Sequence, residues 1–65
     1  MPSSVIRNFR YDPAVRRLDI LFVGGQRYAY YGVPRTIAMA MRNAPSKGEF
    51  FNACIRNRYR FIHEA

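Results

Sequence analysis

Cysteine is almost absent: Cys54 is the only one in the chain. No disulfide can brace the fold from within. With a lone histidine, His63, no Cys–His cluster offers a metal staple either. No metal and no cofactor are expected. Long apolar runs are missing too. None approaches the ~20 residues that cross a bilayer, so no membrane association is expected. Met1-Pro2-Ser3-Ser4 lacks a charged segment followed by an apolar one, so no signal peptide is expected and a reducing, cytoplasmic setting fits. Acids are scarce: four Asp and Glu stand against eleven Lys and Arg. The four are scattered, and no spacing pairs two carboxylates for acid–base work. Ser46 and Lys47 are adjacent, and neighbouring side chains at a helix start diverge, so they make a poor nucleophile–base pair. His63 has only Glu64 near it as an orienting carboxylate. With so few catalytic roles filled, the chain reads as a non-enzyme.

What is present favours a small folded unit. At 65 residues, 1–65 is read as a single domain. A chain of this size buries only about 60% of its unfolded surface, so its core is small. Hydrophobic residues make up 49%, with five Tyr and five Phe, an aromatic content that disordered chains lack. The net charge is +7, which draws polyanions: RNA, DNA or an acidic protein face. Lys47 is the single lysine and the other basic residues are arginine. Arginine stacks on bases and grips phosphate through two parallel N–H bonds. A genome rich in G and C would raise arginine as well.

Residues 4–11 are rich in β-branched and aromatic types and read as a strand. Ile6 and Phe9 are three apart, so both face a core only if a bulge lies between them. Tyr11-Asp12-Pro13-Ala14 reads as a turn. In residues 16–23, Leu18, Ile20 and Phe22 share one face, and Arg17, Asp19, Leu21 and Val23 the other. Gly24-Gly25 supplies the positive φ of a tight hairpin. In residues 26–32, Tyr28 and Tyr30 share a face opposite Arg27, Ala29 and Tyr31. Pro34 suits a helix's first turn, and Ile37, Ala40, Met41 and Ala44 recur at helical spacing until Pro45 stops it. Ser46 to Glu49 matches a capping box, which opens a second helix running to about Arg58 with Phe51 and Ile55 inward and Cys54 beside them. The expected architecture is α+β: a three-stranded antiparallel meander with two helices packed on one face.

The ordered set Tyr11-Asp12, Leu18-x-Ile20-x-Phe22, Gly25, Tyr28-x-Tyr30, Val33-Pro34, Ala44-Pro45-Ser46-Lys47-Gly48, Phe51-Asn52 and Ile55-Arg56-x-x-Tyr59 resembles the KTSC domain. The family's usual Ile-Gly before Tyr-Asp is here Phe9-Arg10. That domain occurs at the C-terminus of some lysyl-tRNA synthetases and as stand-alone small proteins. The resemblance, from Ser4 to Tyr59, implies a small α+β domain with an RNA-binding role. No synthetase body is expected with it, so aminoacylation is not expected to carry over.

Three surfaces are candidates for a polyanion. The first is the start of the second helix, where free amides and a partial positive charge favour an anion. Ser46, Lys47 and Gly48 lie there. Asn52 shares a helix face with Arg56, which follows Gly48 by eight residues, about 12 Å along the axis. A plain cap with solvated Lys47 is the competing reading, and a Glu49 carboxylate closing the capping box would partly neutralise the site. Arg27, Arg35 and Arg60 are further candidate phosphate contacts. The second surface is the sheet face away from the helices, with Arg17 and Tyr31 beside Leu21 and Arg27, and an ordinary solvated face or a dimer contact as its competitors. The third is the tail from Arg56 to Phe61, in which Tyr59 can join the buried stripe while Arg58 and Arg60 fray into solvent. The leading expectation is an RNA-binding module, tRNA among its possible ligands, with weak sequence specificity. The alternative is an adaptor that meets an acidic protein partner. Monomer and weak homodimer both remain open.

Overall fold

The computed structural model describes residues 6–64. Its elements run β1 (Ile6–Asp12), β2 (Arg17–Phe22), β3 (Arg27–Tyr31), α1 (Arg35–Asn43), α2 (Lys47–Cys54) and β4 (Arg60–His63). The strands form one antiparallel sheet in the order β1-β2-β3-β4. The α+β class is as the sequence suggests, but the sheet has four strands rather than three. Residues 4 and 5, read as the start of the first strand, lie outside the described residues.

Side-chain parity sets the two faces. Phe9, Ile20 and Tyr28 stand opposite one another across β1, β2 and β3, as do Tyr11, Leu18 and Tyr30. The register shift between Ile6 and Asn8 is the expected bulge, and it lets both Ile6 and Phe9 pack on the core. At the next corner Gly25 takes φ 93°, which a side chain would resist, and its amide donates to the Phe22 carbonyl at 2.9 Å.

Both helices lie on the Leu18–Ile20 face. The core is Leu18, Ile20, Tyr30, Val33, Met41, Phe51 and Ile55. Leu18, Met41 and Ile55 are fully buried, each contributing about 1.5–3 kcal/mol by removal from water. In α1 the inward residues are Ala38 and Met41; Ala40, expected inside, is exposed, because the helix is rotated to seat Ala38.

α2 ends at Cys54, short of the Arg58 expected from its apolar spacing. Asn57 takes φ 65°, the left-handed conformation that closes a helix, and the Arg56 amide donates to the Phe51 carbonyl at 2.9 Å. The chain turns there and returns along β3, pairing Tyr31 with Arg60, Tyr30 with Phe61 and Tyr28 with His63. Arg60 and Phe61 are therefore strand residues, not a frayed tail. Tyr59 does pack against the core.

Candidate nucleic-acid interface

The start of α2 is built as a cap. The Ser46 hydroxyl accepts from the Glu49 amide at 3.2 Å. Lys47 does not point to solvent beyond the helix start. Its Nζ donates to the Ala44 carbonyl at 2.9 Å and the Arg42 carbonyl at 3.0 Å, closing the C-terminus of α1. Gly48 is buried, so its backbone is not open to a ligand. All three groups expected to cradle an anion there are thus engaged or covered, Ser46 by the cap, Lys47 by the end of α1 and Gly48 by burial.

Asn52 and Arg56 lie at the other end of α2. The Arg56 guanidinium donates to the Asn52 side-chain Oδ1 at 3.4 Å, and both residues line a groove of about 620 Å³. Its floor is aromatic: Phe22, Tyr28, Tyr30, Phe51 and Phe61. Phe22 and Tyr30 both meet Phe51 edge-on, with ring centroids 5.4 Å apart. Phe61 leans on Tyr28 and Tyr30 at 5.5 Å each, yet is 52% exposed. Gln26 and Asn57 add amides at the rim, and among the described residues no carboxylate lines the groove. Burial pushes the Tyr30 phenol above its ordinary value; the neighbouring Tyr28 phenol adds to this and the Arg56 guanidinium opposes it.

The open sheet face carries mixed charge. In register, Asp12, Arg17, Tyr31 and Arg60 form one row, and Arg10, Asp19, Ala29 and Ile62 the next. Arg17 Nε and Asp19 Oδ1, both screened from solvent, face each other at 3.3 Å. Arg10, Asp19, Arg27 and Glu64 line one shallow depression on this face. The face thus sets Arg10, Arg17, Arg27 and Arg60 against Asp12, Asp19 and Glu64: four positive charges less three negative leaves +1. The total is +7, and the one remaining acid is Glu49. Arg7 sits in the β1 bulge and joins neither tally; the rest of the excess lies on Arg35, Arg42, Lys47, Arg56 and Arg58 of the helices and their connections, and on Arg16 of the β1–β2 turn, which shares a hollow with Arg35.

The candidate residues are accordingly not one clamp. Ser46, Lys47 and Gly48 sit at the helix junction; Asn52 and Arg56 sit in the aromatic groove; Arg17, Arg27, Tyr31 and Arg60 sit on the open face. Arg35 joins Arg16, Tyr11 and Pro34 around a separate hollow at the start of α1. Sequence reasoning missed Phe61 and Tyr30 as groove residues. The signal was the apolar pair Phe61-Ile62 between Arg60 and His63, too short to stand out at a charged end.

The KTSC domain model matches residues 2–59. The chain belongs to the KTSC domain family. A KTSC domain protein from Yersinia pestis, solved by crystallography, superposes with a TM-score of 0.90 at 35% identity, covering 100% of this chain and 92% of that one. A lysine–tRNA ligase of Nostoc sp. is 36% identical over 59 residues, 91% of this chain but 10% of the ligase. This KTSC chain thus spans about a tenth of the ligases it matches. A protein of Tsukamurella paurometabola is 38% identical over 60 residues, 92% of this chain and 90% of that protein. The family therefore includes both segments of ligases and small proteins of similar length. β4 lies beyond the matched residues of the family model, although the Yersinia structure spans it.

Proposed function

We propose that this KTSC domain is a non-enzymatic RNA-binding module that holds phosphates on its helical side with little sequence preference. The observation that carries this is the segregation of charge. The open face is nearly neutral, whereas five cations on the helices and their connections, with Arg16 beside the start of α1, stand against Glu49 alone. A polyanion is drawn to the side where its phosphates meet the fewest carboxylates. The relatives named as lysine–tRNA ligases point the same way, because those proteins act on an RNA. A non-enzymatic role is supported by what the reactive groups already do. The Ser46 hydroxyl caps a helix, and the His63 ring stacks on Tyr28 with centroids 4.5 Å apart.

Contacts from Arg56, Arg58, Arg35 and Arg16 would engage about four phosphates. For a single strand the affinity then falls about 50-fold between about 50 and 200 mM salt. The test is fluorescence anisotropy with a short single-stranded RNA. Charge removal by Arg56→Gln with Arg58→Gln should weaken binding and flatten the salt slope by about 1.4, at about 0.7 per phosphate. Arg10→Gln with Arg27→Gln on the open face should leave the slope unchanged. Salt-independent binding, or equal losses from the two pairs, would overturn the reading. Retention of an acidic protein with no RNA at matched salt would favour the adaptor instead.

A further inference from the structure

The aromatic groove contains a polar group that the fold leaves unused. Tyr30 is only 4% exposed, so it is a core residue by area. Its hydroxyl makes no hydrogen bond to any described residue, and the oxygen itself stays open to solvent in a side chain that lines the groove. Tyr11 shows the alternative, since its hydroxyl donates to the Val33 carbonyl at 2.7 Å. The Tyr30 hydroxyl has no such partner within the described fold, so it is free to exchange its water for a ligand in the groove. Beside Tyr30 lie an exposed ring face on Phe61, the Arg56 guanidinium, and amides on Asn52, Asn57 and Gln26.

We propose that this groove is a pocket for one unpaired nucleotide, whose base lies on Phe61 and bonds the Tyr30 hydroxyl while its phosphate meets Arg56. The inference rests on the RNA-binding reading and names the part of the RNA the groove takes. Each component matches one part of a nucleotide. A ring face stacks any base, the phenol and amides can both donate to and accept from a base edge, and the guanidinium balances the phosphate. An apolar peptide segment would leave the guanidinium and the amides without partners. Among the described residues no carboxylate is in the lining, which favours an anionic ligand. Stacking on one ring discriminates little among bases, so the preference at this position should come from the Tyr30 bond.

The experiment is a titration of the whole chain, followed by amide NMR, with each of the four nucleoside 5′-monophosphates and then with a short single-stranded RNA. Shifts should gather at residues 28–30, 51–57 and 61, and the monophosphate should compete with the RNA. Tyr30→Phe removes only the unpaired hydroxyl, so its melting temperature should match the parent while RNA affinity drops about 3- to 10-fold, as for one neutral hydrogen bond. Phe61→Ala should cost about 5-fold or more through lost stacking. If that variant loses β4, Phe61→Leu keeps apolar bulk without a ring face and should show the same loss in a folded chain. Parent-like RNA binding by both Tyr30→Phe and Phe61→Leu would overturn the pocket and leave the RNA reading standing. Monophosphate binding in the groove without RNA binding would support the pocket and overturn that reading. Binding of an acidic tyrosine-containing peptide in the groove, with no response to any nucleotide, would overturn the pocket in favour of a protein ligand.

Discussion

Replacing Lys47 by methionine removes the ammonium that closes α1 and keeps the apolar stem. The Nζ donates to the Ala44 and Arg42 carbonyls at 2.9 and 3.0 Å. Charge-assisted bonds to a buried carbonyl are worth about 1.5–3 kcal/mol, but only one of these two sits in a part-buried setting and both carbonyls can be rehydrated. A cation at a helix C-terminus adds about 0.3–1 kcal/mol. The net loss should be about 1 kcal/mol. A domain of this size has a total of about 3–10 kcal/mol, from about 0.05–0.15 kcal/mol per residue. Its melting temperature should therefore fall by about 4–8 °C, followed by near-UV circular dichroism of the tyrosines. RNA affinity, measured well below the melting temperature, should be unchanged in its salt slope. The opposite pattern, an unmoved melting temperature with the slope flattened by about 0.7, would refute the reasoning and make Lys47 a phosphate ligand.

Three further outcomes follow from burial and charge. Ile55→Ala removes a side chain with 0% exposure and should cost about 2–5 kcal/mol, leaving a visible unfolded fraction in urea-free buffer; a midpoint close to the parent would mean the helices do not depend on that contact. Tyr30 holds its proton above the ordinary 10.0 in the folded chain, so above about pH 10 the unfolded state binds fewer protons and stability falls as pH rises. The urea midpoint of Tyr30→Phe should decline less steeply over that window than the parent's, and parallel declines would contradict the assignment. Asp19→Asn breaks a pair whose side chains are 40% and 34% exposed, so stability should change by less than about 1 kcal/mol. The variant raises the open face from +1 to +2, and amides of Arg17 and Tyr31 should begin to respond to RNA; silence there would show that Asp19 does not set the electrostatics of that face.

Two-residue periodicity made most of the sheet legible. Leu18, Ile20 and Phe22 against Arg17, Asp19 and Leu21 fixes which way β2 faces, and the awkward spacing of Ile6 and Phe9 foretells the bulge. The cap at Ser46 is local chemistry and could be read. β4 could not, because four residues at a basic end carry little pattern and gain their place only by pairing with a strand distant in sequence. The stop at Asn57 was hidden for a different reason: Phe51, Ile55 and Tyr59 keep helical spacing, and all three reach the core although the helix between them ends. Lys47 shows the limit for sites. Charge and position are visible in the sequence, but the direction of a long side chain is decided by which carbonyls its neighbours leave open.

Position of the acids, rather than of the bases, decides where a polyanion can settle on this fold. Arginines occur in nearly every segment, so their distribution alone selects no side. Asp12 and Asp19 occupy strand positions whose parity places them on the face away from the helices, and Glu64 follows β4 beside Arg27. A shift of one residue in the register of β2 would carry Asp19 to the core face and expose Leu18 and Ile20 in its place, at the cost of the whole core. The hydrophobic alternation that fixes the sheet therefore also fixes its neutral face. With three carboxylates held there, most of the surplus positive charge is left beside the helices, and one part of it, Arg56, lies at the groove where exposed aromatic area and a guanidinium coincide.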